Sequence, residues 1–130
     1  MKKIFLINAL IEMAGGIVLS LRPDLLLMHS VPDIQGLATA RLYAILAFCF
    51  GLSSYVWFMN YRPSKIFRHL ALIVMIFHLV VSFHMYGAYV SGITPSNVAF
   101  ILHLCIAILC LFFYLNDKMP ENTGNDNTIA

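Results

Sequence analysis

Charge is scarce in this chain. Only 11% of its 130 residues are Asp, Glu, Lys or Arg, while 61% are apolar; a soluble domain carries charge on about a quarter of its residues. So few charges cannot build a water-facing surface. Eight basic and six acidic residues leave a formal charge of +2, too weak and too dispersed for a nucleic-acid footprint, and nucleic acid is excluded as a partner. Cysteine is equally sparse. Cys49, Cys105 and Cys110 lie inside apolar runs with no Cys-x-x-Cys anywhere. Disulfide exchange needs a paired thiol near the membrane surface, so four-helix disulfide enzymes are excluded and the three thiols read as small packing residues. His-x-x-x-His, Glu-x-x-His and Cys-x-x-Cys-His are also missing, and no metal ligand is assigned from spacing. Nor is there a phosphate loop or a nucleophile–base pair, which favours a non-catalytic role over an enzyme.

The chain is rich instead in long apolar windows. Crossing roughly 30 Å of hydrocarbon at 1.5 Å per residue takes about 20 residues of helix, and four windows qualify, at 4–21, 37–60, 66–90 and 98–115. Strands would leave backbone groups unpaired in lipid, and the windows lack the alternation of barrel strands. The expected fold is therefore an all-α, integral membrane, antiparallel four-helix bundle over residues 1–115. Asp24, Asp33, Pro23, Pro32 and Gly36 mark the first loop, Arg62 to Lys65 the second and Ser91 to Ser96 the third. The tail at 116–130 is polar and expected to be disordered and cytoplasmic. Met1-Lys2-Lys3 before an apolar run has the look of a signal peptide. Glu12 interrupts that run and no small-x-small cleavage pattern follows, so a retained first helix is expected.

Lys2, Lys3, Arg62, Lys65, Arg68 and Lys118 fall on one side of the predicted topology, and Arg22 and Arg41 on the other. The positive-inside rule then puts both termini in the cytoplasm, and the expected location is the bacterial inner membrane. Tyr61, Phe67, Tyr86, Tyr89 and Tyr114 lie near the predicted boundaries as interfacial anchors.

Helices associate in lipid through close packing and hydrogen bonds, so small and polar residues mark the faces that meet. Four stripes stand out: Asn8, Glu12, Gly16 and Ser20; Gly36, Ala40, Ala44, Ala47, Gly51 and Ser54; His78, Ser82, Met85 and Tyr89; and Ala99, His103, Ala107, Cys110 and Tyr114. An ionisable group at the bilayer centre costs roughly 3 kcal/mol on insertion scales. Glu12 must be protonated, paired or wet, and Arg41, about one turn into the second helix, is its basic candidate. His78 and His103 complete the candidate ligand or proton site, with Asn8, His84 and Tyr43 secondary. A turn near Ile93 and Thr94 would bring His84 level with His103. The six-residue step from His78 to His84 rotates the two apart, so one face cannot present both.

Gly15-Gly16 with Pro23 just past the first helix, Ala40-Arg41-Leu42-Tyr43 opening the second and Gly51 within it resemble the small four-helix DoxX-like membrane proteins. Where those proteins usually carry an arginine and a glycine-lysine element, this chain has Glu12. The resemblance implies helix order and a broad association with redox or accessory roles, and assigns no catalytic residue. Glu12 in the first of four short helices is also similar to the small multidrug transporters, whose glycine-rich third helix is not matched here.

Three functions follow as expectations. The first is a non-catalytic binding or accessory protein with a buried polar cluster around Glu12, Arg41, His78 and His103. The second is a proton-coupled small-molecule transporter using Glu12, and the third is a redox subunit holding haem or quinone, haem being held between imidazoles of the third and fourth helices. The lipid bilayer is the expected partner, with a membrane protein or a second copy of the chain beside it.

Overall fold

The computed structural model describes residues 1–23, 34–94 and 96–117. They form four α-helices and, among the described residues, no strand: α1 (Lys2–Leu21), α2 (Ile34–Met59), α3 (Lys65–Val90) and α4 (Val98–Asn116). All four are long and apolar enough to cross a membrane. Gly36, assigned to the first loop by its composition, lies inside α2. Asp24, His29, Pro32, Asp33 and the tail from Lys118 onward lie outside the described residues.

The helices work as two antiparallel pairs, α1 with α2 and α3 with α4, with α1 also touching both members of the second pair. Small residues set the first pair. A Cβ added at Gly16 would stand 2.7 Å from the Ala44 carbonyl oxygen and 2.9 Å from the Phe48 backbone nitrogen, and one at Gly51 would stand 2.7 Å from the Met13 nitrogen. Backbone therefore rests on backbone at two places, which only glycine permits. The predicted stripes face inward over much of their length. Asn8, Glu12, Gly16, Ala44, Ala47, Gly51, Ser54, His78, Ser82, Ala107 and Cys110 are buried, while Ser20 and Tyr89 turn outward. Of the cysteines, only Cys110 packs in the core; Cys49 and Cys105 are exposed.

The second pair owes its register to the turn after α3. Gly92 adopts a φ of +70°, the left-handed region that glycine enters freely, and the Ile93 and Thr94 amides both return to the Ala88 carbonyl. Thr94 is thus folded back against the helix and buried. The turn spans 91–97, with Ile93 and Thr94 near its middle as expected, but the fold-back of Thr94 slides α4 along α3. Arg68 accordingly stacks on Tyr114, Ser82 donates to the Phe100 carbonyl at 3.4 Å, and His103 lies level with His78 instead of His84.

Along the long axis the interior has two unlike ends. At the end where the Met1 amino group meets the Asp117 carboxylate at 3.4 Å, Ile4, Phe5, Ala71, Val74, Ile106 and Cys110 form an apolar core. Phe5 packs edge-on to Trp57 and Phe67, and Phe50 stacks near Phe77 at 4.4 Å. The outer surface is apolar all round, with Leu10, Ile66, Phe83 and Leu115 each more than 60% exposed. Such a continuous apolar exterior is far larger than the patches soluble monomers tolerate.

The two close approaches give a direct test. Gly16→Ala and Gly51→Ala each force the backbones apart and should destabilise the fold by about 1–3 kcal/mol. Gly15→Ala and Gly87→Ala meet nothing within 4 Å and should leave the melting temperature in detergent unchanged.

Candidate functional site

Midway along the helices, one polar side chain from each helix joins a single hydrogen-bonded chain. Asn8 of α1 donates from Nδ2 to Ser54 Oγ of α2 at 2.6 Å. Its Oδ1 lies 2.6 Å from His78 Nε2 of α3, and His78 Nδ1 lies 2.8 Å from His103 Nδ1 of α4. Asn8, Ser54 and His78 are fully buried and His103 is partly so. Because the Asn8 oxygen can only accept, His78 Nε2 carries the hydrogen and donates it. That leaves His78 Nδ1 a bare acceptor, which takes the Nδ1–H of His103.

Glu12 sits one turn beyond Asn8 on the same face of α1 and completes the layer. Its Oε1 is 3.7 Å from His78 Nδ1 and 3.8 Å from His103 Nδ1, outside hydrogen-bond range. Glu12, His78 and His103 thus each bring a potential ligating atom to within 4.8 Å of the others. This cluster has no linear signature, since its members come from α1, α3 and α4.

The expected pair between Glu12 and Arg41 does not form. Arg41 is exposed on α2, and the histidines His78 and His103 are charged-pair candidates within 4 Å of Glu12. The register explains this. With Asn8 opposite Ser54 and Gly16 opposite Ala44 and Phe48, Arg41 lies roughly 13 Å along the axis from the level of Glu12 at 1.5 Å per residue. His84 is exposed on α3 and takes no part. Ser54, read from its spacing as a packing residue, belongs to the hydrogen-bonded layer. A haem between His78 and His103 does not fit either. Axial imidazoles must stand roughly 4 Å apart, twice a metal–nitrogen bond, with the macrocycle between them, whereas these nitrogens are 2.8 Å apart.

Next to the polar layer, on the side away from the aromatic core, lies a cavity of about 490 Å³. Glu12, Tyr43 and His103 give it a polar base, Ile11, Leu19, Ala47, Met85 and Leu102 supply apolar walls, and Thr94 and Ser96 mark its far end. Two buried side-chain oxygens lack a hydrogen-bond partner among the described residues, Glu12 Oε1 and Thr94 Oγ1. An orphaned buried oxygen is costly. The residues that carry these two, Glu12 and Thr94, both contribute to the lining of this cavity.

No family model matches this chain, and neither a curated protein nor a solved structure is significantly similar to it.

The register makes opposite forecasts for two pairs of residues. In a double-mutant cycle in detergent, Asn8→Ala and His78→Ala should couple by about 0.5–1.5 kcal/mol, the range found for hydrogen bonds between membrane helices. Glu12→Gln and Arg41→Ala should be additive.

Proposed function

We propose that this chain is an integral membrane protein that crosses the bilayer four times as an antiparallel bundle and binds a small, largely apolar molecule in its interior cavity. The observation that carries the reading is a cavity lined mainly by aliphatic side chains, to which Glu12, Tyr43, Thr94 and His103 add polar residues. Its volume of about 490 Å³ falls within the usual range for small-molecule sites, roughly 300–1,000 Å³. The matching guest has an apolar body, one group that pairs with the carboxyl of Glu12 and the neighbouring imidazole of His103, and a second that meets the hydroxyl of Thr94. Quinones and other lipid-soluble metabolites of that shape belong to the class.

The distribution of basic residues supports an inner-membrane orientation with both termini in the cytoplasm, which would turn the cavity end outward. The likeness to DoxX-like proteins is part of the same proposal and contributes helix order only. Proton-coupled transport is the second reading, favoured by the run of exchangeable protons through His103 and His78 beside the Glu12 carboxyl. The aromatic core at the terminal end favours binding over passage, because Phe5, Trp57 and Phe67 fill the space a route would need.

Organic extraction of the purified protein followed by mass spectrometry should recover a discrete small molecule in near-stoichiometric amount. Ala99→Phe, which fills the cavity wall, should abolish its retention, and Thr94→Val should weaken it roughly three- to tenfold, the loss of one neutral hydrogen bond. Wild-type protein carrying no more extractable material than Ala99→Phe would contradict the reading.

A further inference from the structure

The geometry points to a transition-metal site formed by Glu12, His78 and His103, with its open coordination position on the cavity side. The three atoms involved, Glu12 Oε1, His78 Nδ1 and His103 Nδ1, are separated by 2.8, 3.7 and 3.8 Å. A triangle of those sides has its centre about 2 Å from every corner, matching the bond lengths of zinc to imidazole and carboxylate, ~2.0–2.2 Å. An ion just off that plane reaches all three atoms with little movement of any side chain.

Three further features belong to such a site. Glu12 Oε1 is buried and has no hydrogen-bond partner, so a ligand atom is already aimed at the position. The other ring nitrogen of His78 is fixed by Asn8 Oδ1 at 2.6 Å, and this outer contact holds the tautomer whose Nδ1 lone pair faces inward. Asn8 is held in turn by Ser54 at 2.6 Å, giving the ligand a braced mounting on two other helices. His103 becomes a ligand by moving its proton to Nε2, with no change in charge. Two imidazoles and one carboxylate suit a divalent first-row ion such as zinc, iron or cobalt better than magnesium or calcium, which take oxygen ligands.

The open position follows from the surroundings. Glu12 and His103 line the cavity, while Asn8 and Ser54 close the opposite side of His78. A divalent ion with one carboxylate keeps a net positive charge, so it would draw an anionic or strongly electron-donating group from the cavity. The ion thereby defines the polar end of the guest, but the site itself rests on the three side chains and does not depend on the cavity being filled.

The full chain in detergent, stripped with a chelator and dialysed against zinc, should retain one ion per chain by elemental analysis. Loaded with cobalt, it should show the visible ligand-field absorption of a low-coordinate nitrogen and oxygen site. Glu12→Gln and His103→Ala should each weaken zinc binding at least about tenfold, whereas His84→Ala, Arg41→Ala and the cavity variant Thr94→Val should leave it unchanged. His103 is the histidine to replace because it is partly exposed and its loss spares the contacts among Asn8, Ser54 and His78. The cobalt spectrum of the wild-type chain needs no variant. A wild-type chain that binds neither ion stoichiometrically, or zinc binding indifferent to Glu12→Gln and His103→Ala, would overturn the site and leave the cavity reading standing.

Discussion

The hydrogen-bonded chain from Ser54 through Asn8 and His78 to His103 is the constraint to which the other features answer. It takes one side chain from each helix, and Asn8, Ser54 and His78 are fully buried. In an apolar interior a missing partner costs far more than it does at a surface. Relative rotation or sliding of any helix would strand at least one donor or acceptor. Residues with no polar role serve the same arrangement. Gly16 and Gly51 let α1 approach α2 closely enough for Asn8 to reach Ser54, and the reversal at Gly92 lowers α4 until His103 meets His78.

This polar layer also divides the interior. On one side, Phe5, Phe50, Trp57, Phe67 and Phe77 fill the space between helices with interlocking rings. On the other, Gly15, Ala47 and Ala99 are too small to fill the space between helices, and the cavity remains. Glu12 stands at the boundary, beside His78 and His103 of the polar layer and within the lining of the cavity. A carboxylate there would be a poor choice for packing alone. Its placement makes sense if it serves a guest or an ion.

Much of the fold was legible because lipid-compatible helices announce themselves by length and apolar content, and because small residues recur on the faces that meet. Gly16, Ala44, Ala47, Gly51 and Ala107 could be named from spacing alone. The site was only partly legible. Glu12, His78 and Asn8 stand out as polar residues in apolar windows, yet which of them touch depends on register, and register depends on turns. The α3–α4 turn lies where its residues put it, but the fold-back of Thr94 onto Ala88 sets His103 level with His78 rather than His84. For Arg41 the error was axial, since a long side chain does not span two and a half helical turns. Ser54 shows the converse, a residue that spacing marks only for packing and that acquires a polar role when Asn8 lies opposite. The cavity had no sequence signal, being the product of several small side chains on different helices.

The most direct measurement concerns the meeting of His78 and His103. In a chain where His29, His69 and His84 are replaced by glutamine, ring-15N-labelled histidine in lipid vesicles leaves only these two imidazoles visible to solid-state NMR. Nitrogens 2.8 Å apart should exchange magnetisation strongly between the residues, and bridging by an ion would preserve that transfer. Two independent imidazoles with no transfer between them would mean that α3 and α4 do not share this register, and the polar layer as described would be wrong.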